Sequence, residues 1–294
     1  MVVSRVIQSP QIVRAGDGEE LTLWRMERTT GAADGRGTLP ILLVHGTFSN
    51  RFFFGGRGGL AQYLADLGYD AWVAELRGRR PGAPAQDWEF EHWIMSDAPA
   101  LARAVIAATG TATLLWLGHS AGAVIGAGFA ARAPEHAAML GGLVMIAAPA
   151  PYAPGPIHLL TAAAGHAVGS ALGRFPAAAL RIGPADERPG ILRLWFGWNA
   201  SGRWIGRDGF DYRVAAARVL IPALAVAGAG DLLTPPSACR RLLDDLGGAD
   251  RELVVCGRSQ GFSRDYTHNR LVISAQARQE VWPVIARWIG QRFD

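Results

Sequence analysis

The pentapeptide Gly118-His119-Ser120-Ala121-Gly122 sets one hydroxyl between two glycines, directly after the apolar run Leu114 to Leu117 and directly before the alanine-rich stretch Ala121 to Arg132. A strand that becomes a helix within a residue or two forces strained backbone onto the serine, and only hydrogen-sized side chains fit beside it. The chemistry such a turn offers is nucleophilic. The hydroxyl stands exposed at a helix N-terminus, where free N–H groups and the helix dipole favour developing negative charge. The plainer alternative is a Gly-flanked serine that caps an ordinary helix. The strand before it and the helix after it argue for the nucleophile.

A serine hydroxyl needs a base to take its proton, and the base needs a partner to fix its tautomer. Asp231 closes Gly228-Ala229-Gly230-Asp231 after the apolar run Leu224 to Ala227, so a strand end presents its carboxylate; a turn or cap role is the alternative. Of seven histidines, His268 alone follows Asp231, in Asp265-Tyr266-Thr267-His268-Asn269. The chain order serine, acid, histidine that accompanies a strand-turn-helix nucleophile therefore selects it. His45 and His119 read as backbone-shaping neighbours, His92 and His136 sit on or beside helices, and His158 and His166 fall in an inserted region. His45-Gly46-Thr47-Phe48 ends the first buried strand, where a backbone N–H can face a substrate oxyanion. We expect the Thr47 and Ala121 amides as the two donors, with Phe48 as the alternative to Thr47.

These side chains need a parallel sheet to meet at one edge. Alternation from Arg5 to Arg14 and from Glu20 to Arg28 around Gly16-Asp17-Gly18 predicts an entry hairpin. The continuous apolar run Ile41–Val44 suits a strand buried on both faces, and Ala71–Ala74, Thr113–Leu117, Leu143–Ile146, Ile221–Val226 and Glu252–Cys256 predict further strands. Helical patterns at Leu60–Leu67, Trp93–Ala108, Ala121–Arg132, Pro236–Leu246 and Ala275–Gln291 separate them, with Pro283 kinking or restarting the last; Arg77 to Pro84 reads as loop. After Pro149 the rhythm breaks until Ile221. The expected division is 1–150 and 219–294 as a core in two parts and 151–218 as an inserted helical cap. The cap aromatics Trp195, Phe196, Trp198 and Trp204 either line an apolar pocket or hold the cap together.

Composition bounds the remaining classes. The chain of 294 residues is 50% hydrophobic and 18% charged with ten Trp, which suits one thick, doubly covered sheet. The net charge of +4 comes from scattered Arg, including Arg77, Arg79, Arg80, Arg240 and Arg241, and is read as solvated surface. No nucleic-acid-binding module is evident. Glu91 and Asp97 are likewise read as a solvated helix face. Cys239 and Cys256 are read as buried thiols. The first eleven residues lack the features of a signal peptide, and the run Leu159 to Leu180 is interrupted by His166, Arg174 and Pro176, so no transmembrane segment and a cytoplasmic location are expected. Metal, phosphate-loop and dinucleotide motifs are absent, so no cofactor or metal is expected.

In these residues the chain resembles the α/β-hydrolase superfamily, and from His45 to Gly122 the acid lipase branch. Gly68-Tyr69-Asp70-Ala71-Trp72, Arg77-Gly78, Trp88-Glu89-Phe90, Asp97-Ala98-Pro99 and Gly118-His119-Ser120 carry that likeness, while Ala121 and Thr47 stand where those lipases usually have Gln and Leu. The resemblance implies an α/β-hydrolase fold, with a mostly parallel sheet, helices on both faces and an inserted cap. It also implies a serine hydrolase that cleaves small apolar carboxylic esters of short to medium acyl chain through an acyl-enzyme on Ser120. The same fold and triad serve lipases, prolyl aminopeptidases, lactonases, haloperoxidases and acyltransferases. A non-catalytic protein binding an apolar ligand is the alternative from a different class.

Overall fold

The computed structural model describes residues 9–28, 39–79, 87–153 and 155–294. Residues 5–8 of the predicted first strand, residues 80–84 of the predicted loop and Pro154 lie outside them. Eight strands form one sheet in the order β1-β2-β4-β3-β5-β6-β7-β8. They are β1 (Ser9–Arg14), β2 (Glu20–Arg25), β3 (Ile41–Val44), β4 (Ala71–Glu75), β5 (Leu114–His119), β6 (Leu140–Ile146), β7 (Ala223–Gly228) and β8 (Arg251–Cys256). The hairpin β1–β2 pairs antiparallel and joins β4 antiparallel; every pairing from β4 to β8 is parallel. This is the α/β-hydrolase architecture the sequence predicts.

The apolar runs are explained by coverage on both faces. Successive strand residues point to opposite sides, and in β5 Leu114 and Trp116 enter one core layer while Leu115 and Leu117 enter the other. All four have no exposed surface, and burying such a side chain contributes about 1.5–3 kcal/mol. Helices α1 (Leu60–Asp66), α7 (Ala275–Glu280) and α8 (Trp282–Phe293) cover the layer that holds Leu115. Helices α2 (Ala98–Thr109), α3 (Ala121–Arg132) and α6 (Pro236–Asp245) cover the layer that holds Trp116. The terminal helix breaks at Val281 and restarts with Pro283 in its first turn, where a missing N–H costs nothing.

Three expectations are corrected. The predicted helix from Trp93 is a π-helical turn over Trp93–Asp97 before α2 begins, because Pro99 cannot donate to the preceding turn and the bonding register widens there. Glu91 and Asp97 are buried rather than solvated. Asp97 accepts from the Arg77 backbone at 3.2 Å and from its guanidinium at 2.8 and 2.5 Å, and Glu91 accepts from the Tyr212 hydroxyl and the Arg207 amide, both at 2.8 Å. Arg77 and Arg79, read as surface, keep side chains only 4% and 2% exposed, since each finds a carboxylate inside. Arg240 and Arg241 do lie on the surface, and both cysteines are buried.

Between β6 and β7, which are adjacent and parallel, the chain leaves the sheet and forms two longer helices, α4 (Pro156–Leu172) and α5 (Pro189–Ser201). Aromatics tie this segment to itself and to Phe90 of the core. Trp198 and Trp204 are buried, Trp204 stacks on Tyr212 at 5.2 Å, Trp195 stacks on Phe90 at 5.4 Å, and Phe196 stacks on His166 at 5.3 Å. Among the described residues no helix is long and apolar enough to cross a membrane.

Candidate active site

The turn from β5 into α3 has the strained geometry its sequence requires. Ser120 adopts φ 52°, ψ −120°, a conformation that a residue with a side chain reaches only when its surroundings impose it. They do so through two bonds and two close approaches. The Ser120 amide donates to the Ile146 carbonyl at 2.8 Å, and the Trp116 indole donates to the Gly122 carbonyl at 2.9 Å. A Cβ on Gly118 would meet the Ala123 nitrogen at 2.4 Å, and one on Gly122 would meet the Val44 oxygen at 2.1 Å. A larger residue at 122 would push the elbow off the end of β3, and one at 118 would push β5 away from the first turn of α3. Helix bonding to the Ser120 carbonyl begins with Ala123, which leaves the Ala121 N–H among the free donors of the first turn.

The acid and the histidine meet at the ends of β7 and β8. The His268 Nδ1–H donates to Asp231 Oδ2 at 2.8 Å. The other carboxylate oxygen of Asp231 accepts from the Leu233 and Thr234 amides at 3.0 and 2.8 Å. Those bonds give donor partners to both oxygens of a carboxylate that is only 1% exposed. The loop carrying His268 lies against β7 closely enough that a Cβ on Gly228 would meet the Tyr266 oxygen at 2.2 Å. Tyr266 is buried and donates its hydroxyl to Glu280 at 2.9 Å, pinning that loop to α7.

His119 links the two halves. Its ring lies 4.8 Å from the His268 ring, and its Nε2 sits 3.2 Å from the His268 carbonyl. Burial, reinforced by His268 itself, holds His119 well below the ordinary imidazole range, so it is neutral and donates that Nε2–H. His268 is thereby set beside the residue preceding Ser120, with its Nε2 unused by Asp231. Among the described residues no hydrogen bond joins the Ser120 hydroxyl to the His268 ring; bonds of this kind commonly stay long until substrate binds. The oriented His268 ring and the half-buried Ser120 at the N-terminus of α3 thus share one corner, joined through His119.

The residue after Gly46 stands between two fixed points. On one side His45 is buried, with Nδ1 2.8 Å from the Gly46 carbonyl and Nε2 accepting from the Leu76 amide at 3.4 Å. On the other, Phe48 has its N–H committed to Glu187 Oε2 at 3.3 Å. The Thr47 N–H carries no such bond among the described residues. Among those residues, no group of three His, Cys, Asp or Glu side chains is placed to hold a metal ion.

A family model described as the alpha/beta hydrolase family matches residues 41–288, from the first buried strand into the last helix. The chain belongs to the alpha/beta hydrolase family. Lipase 1 of Drosophila melanogaster is 33% identical to this hydrolase over 123 residues, 37% of this chain and 26% of the relative. Sterol esterase 2 of Saccharomyces cerevisiae is 30% identical over 131 residues, 39% of this chain and 24% of the relative. The match thus spans about a quarter of the length of each. A solved esterase of Pyrococcus furiosus superposes with a TM-score of 0.65 at 13% identity, covering 98% of this chain and 92% of that one, a likeness of fold. The named relatives are a lipase and a sterol esterase, and the likeness to them covers less than two fifths of this chain.

Several residues that shape this hydrolase's corner escaped the sequence reading. Trp116, Tyr266 and Glu280 look like ordinary core or surface residues by pattern, and nothing local marks them. His158 on α4 is buried, donates Nδ1–H toward the Leu233 carbonyl at 3.0 Å and accepts the Trp195 indole N–H on Nε2 at 2.9 Å. A histidine followed by apolar residues in a charge-free helix was the available signal.

Proposed function

We propose that this protein hydrolyses carboxylic esters of short to medium acyl chain through an acyl-enzyme on Ser120. His268 takes the hydroxyl proton as Ser120 attacks the carbonyl carbon, and Asp231 holds the ring in the tautomer that leaves Nε2 free to accept. The Thr47 and Ala121 amides receive the charge that develops on the carbonyl oxygen. The C–O bond of the ester then breaks, His268 returns the proton to the departing alcohol, and water repeats the sequence to release the acid. Residues 151–218 act as a cap over this corner, beneath which an apolar acyl chain is accommodated. The observation that carries the reading is the 2.8 Å bond from His268 to a buried Asp231, beside a serine held in strained strand-to-helix geometry.

The test is covalent. An organophosphonate probe is expected to form one stable adduct, on Ser120, and Ser120→Ala is expected to lose both the adduct and about a million-fold in kcat, as for other serine triads. A series of p-nitrophenyl esters from acetate upward is expected to peak at short to medium chains. Full ester hydrolysis by Ser120→Ala would end the proposal, and a maximum confined to long-chain triglyceride emulsions would replace esterase by lipase.

A further inference from the structure

The loop that follows Gly46 is held from the 151–218 segment, through an ion pair that no step of ester hydrolysis uses. Phe48 adopts φ 59°, a left-handed conformation that a phenylalanine keeps only when its neighbours impose it. Every group that imposes it comes from outside the loop. The Phe48 N–H donates to Glu187 Oε2 at 3.3 Å, the Phe48 carbonyl accepts from the Ala185 amide at 3.2 Å, and the ring packs 5.1 Å from Phe175. A Cβ on Gly183 would meet the Phe48 oxygen at 2.1 Å, so the segment and the loop touch backbone to backbone.

Glu187 is in turn positioned by Arg79. The guanidinium donates to Glu187 Oε2 at 2.6 Å and Oε1 at 3.3 Å, with side chains 2% and 0% exposed. The same guanidinium donates Nε–H to the Ser49 carbonyl at 2.8 Å and reaches the Asp186 carbonyl at 3.3 Å. One buried pair therefore holds Phe48 by its N–H and Ser49 by its C=O. His45, anchored to Leu76, fixes the other side of the turn. Thr47, suspended between them, keeps a fixed amide direction without spending the N–H that would fix it.

We propose that Arg79 and Glu187 are positioning residues for the oxyanion loop, so that the inserted segment supplies the preorganisation of the Thr47 amide; this rests on the ester-hydrolase reading above. Moving the segment away would remove the acceptor of the Phe48 amide and loosen the donor that the reaction needs.

The experiment compares wild type with Glu187→Ala, Glu187→Gln and Arg79→Met on a p-nitrophenyl ester and on the matching thionoester, whose larger, weaker-accepting sulfur gains less from an oxyanion donor. Loss of a whole donor costs about a hundred- to a thousand-fold in kcat, and a loosened one is expected to cost roughly ten- to a hundred-fold on the ester. KM is expected to stay within about threefold, the thionoester to lose much less, and Glu187→Gln, which keeps an acceptor oxygen, to recover part of the loss. Hydrogen exchange of the peptide covering residues 46–50 is expected to accelerate about tenfold or more in Glu187→Ala. Where Glu187→Ala does not fold, Glu187→Gln carries both measurements. Equal losses on both substrates, or folded variants with wild-type kinetics and exchange, would overturn the positioning role. A wild type that neither hydrolyses esters nor takes the phosphonate would instead defeat the ester-hydrolase reading, and the exchange rates alone would then decide whether the pair holds the loop.

Discussion

Arg77 and Arg79 stand two residues apart on one loop, both buried and both paired, yet they tie together different parts of the molecule. Arg77 binds Asp97 in the π-helical turn and reaches Asp17, in the turn of the β1–β2 hairpin, at 2.8 Å. It stays within the sheet core. Arg79 turns the other way, to Glu187 in the inserted segment and to the loop after β3. The first pair fastens the scaffold to itself, and the second fastens the segment between β6 and β7 to the loop after β3. A buried ion pair is weak evidence for net stability but strong evidence that its removal will be felt, because breaking one leaves an unpaired charge inside.

Replacing each arginine by methionine separates the two roles. Both substitutions strand a carboxylate, Asp97 or Glu187, that has no exposed side-chain surface, and each is expected to cost about 3–5 kcal/mol, or roughly 10 °C in Tm. The divergence lies in the folded fraction. Arg77→Met is expected to retain the wild-type ratio of ester to thionoester turnover, whereas Arg79→Met is expected to lose it. Calorimetry beside steady-state kinetics at 20 °C makes the comparison, and a collapse of the ratio in Arg77→Met would show that the loop responds to general loosening rather than to Glu187.

The same contrast explains what could be read from sequence. The sheet was legible because each strand from β3 to β7 contains an apolar run of three or more residues, a pattern dictated by coverage on both faces. Ser120 was legible because close approach demands glycines at 118 and 122, and the Asp231–His268 pairing followed from chain order. Arg79 and Glu187 were not, because a pair separated by 108 residues leaves no periodic trace, and an arginine among many others reads as surface. The π-helical turn was not legible because one proline within a helical apolar pattern leaves the periodicity intact while it changes the bonding register. The glutamate at 91 was missed because its partners, Tyr212 and the Arg207 amide, come from the segment whose local pattern breaks the strand–helix rhythm. Local rules read the scaffold well and its long-range ties poorly.

Acid acts on the two sides of the corner in the same direction. On the sheet side, burial and then the Arg79 guanidinium push His45 down to about 3, so it is neutral and its Nε2 accepts the Leu76 amide. The folded value lies below the unfolded one near 6.5, so the unfolded chain takes up the proton first, and stability falls as pH drops through 6.5 toward 3. Between pH 7 and 5 this single group is expected to remove about 2 kcal/mol. His158, on the segment side, is lowered by burial in the same direction. Thermal melts at both pH values are expected to show His45→Gln, which cannot titrate, with a smaller acid-induced drop in Tm than wild type. Parallel drops would mean that the imidazole at 45 already exchanges protons freely in the native state.

The smallest expected effect falls on the contact between segment and acid. Trp195 donates to His158 Nε2, His158 donates to the Leu233 carbonyl, and the Leu233 amide donates to Asp231, forming a chain of bonds from α5 to the Asp231 carboxylate. Trp195→Phe keeps the ring against Phe90 but removes the indole N–H, leaving one buried acceptor unpaired at a cost of about 1 kcal/mol. His158 still holds its Nδ1 proton toward Leu233, so the carboxylate keeps both of its amide donors. The activity is therefore expected to stay within about twofold. A double-mutant cycle with His158→Phe measures the link, with a coupling near 1 kcal/mol expected in stability and little in kcat. A loss of ester turnover in Trp195→Phe as large as in Glu187→Ala would move the segment's main grip on the reaction from the oxyanion loop to the acid, because only a displaced Asp231 could then connect an indole on α5 to the proton transfer at His268.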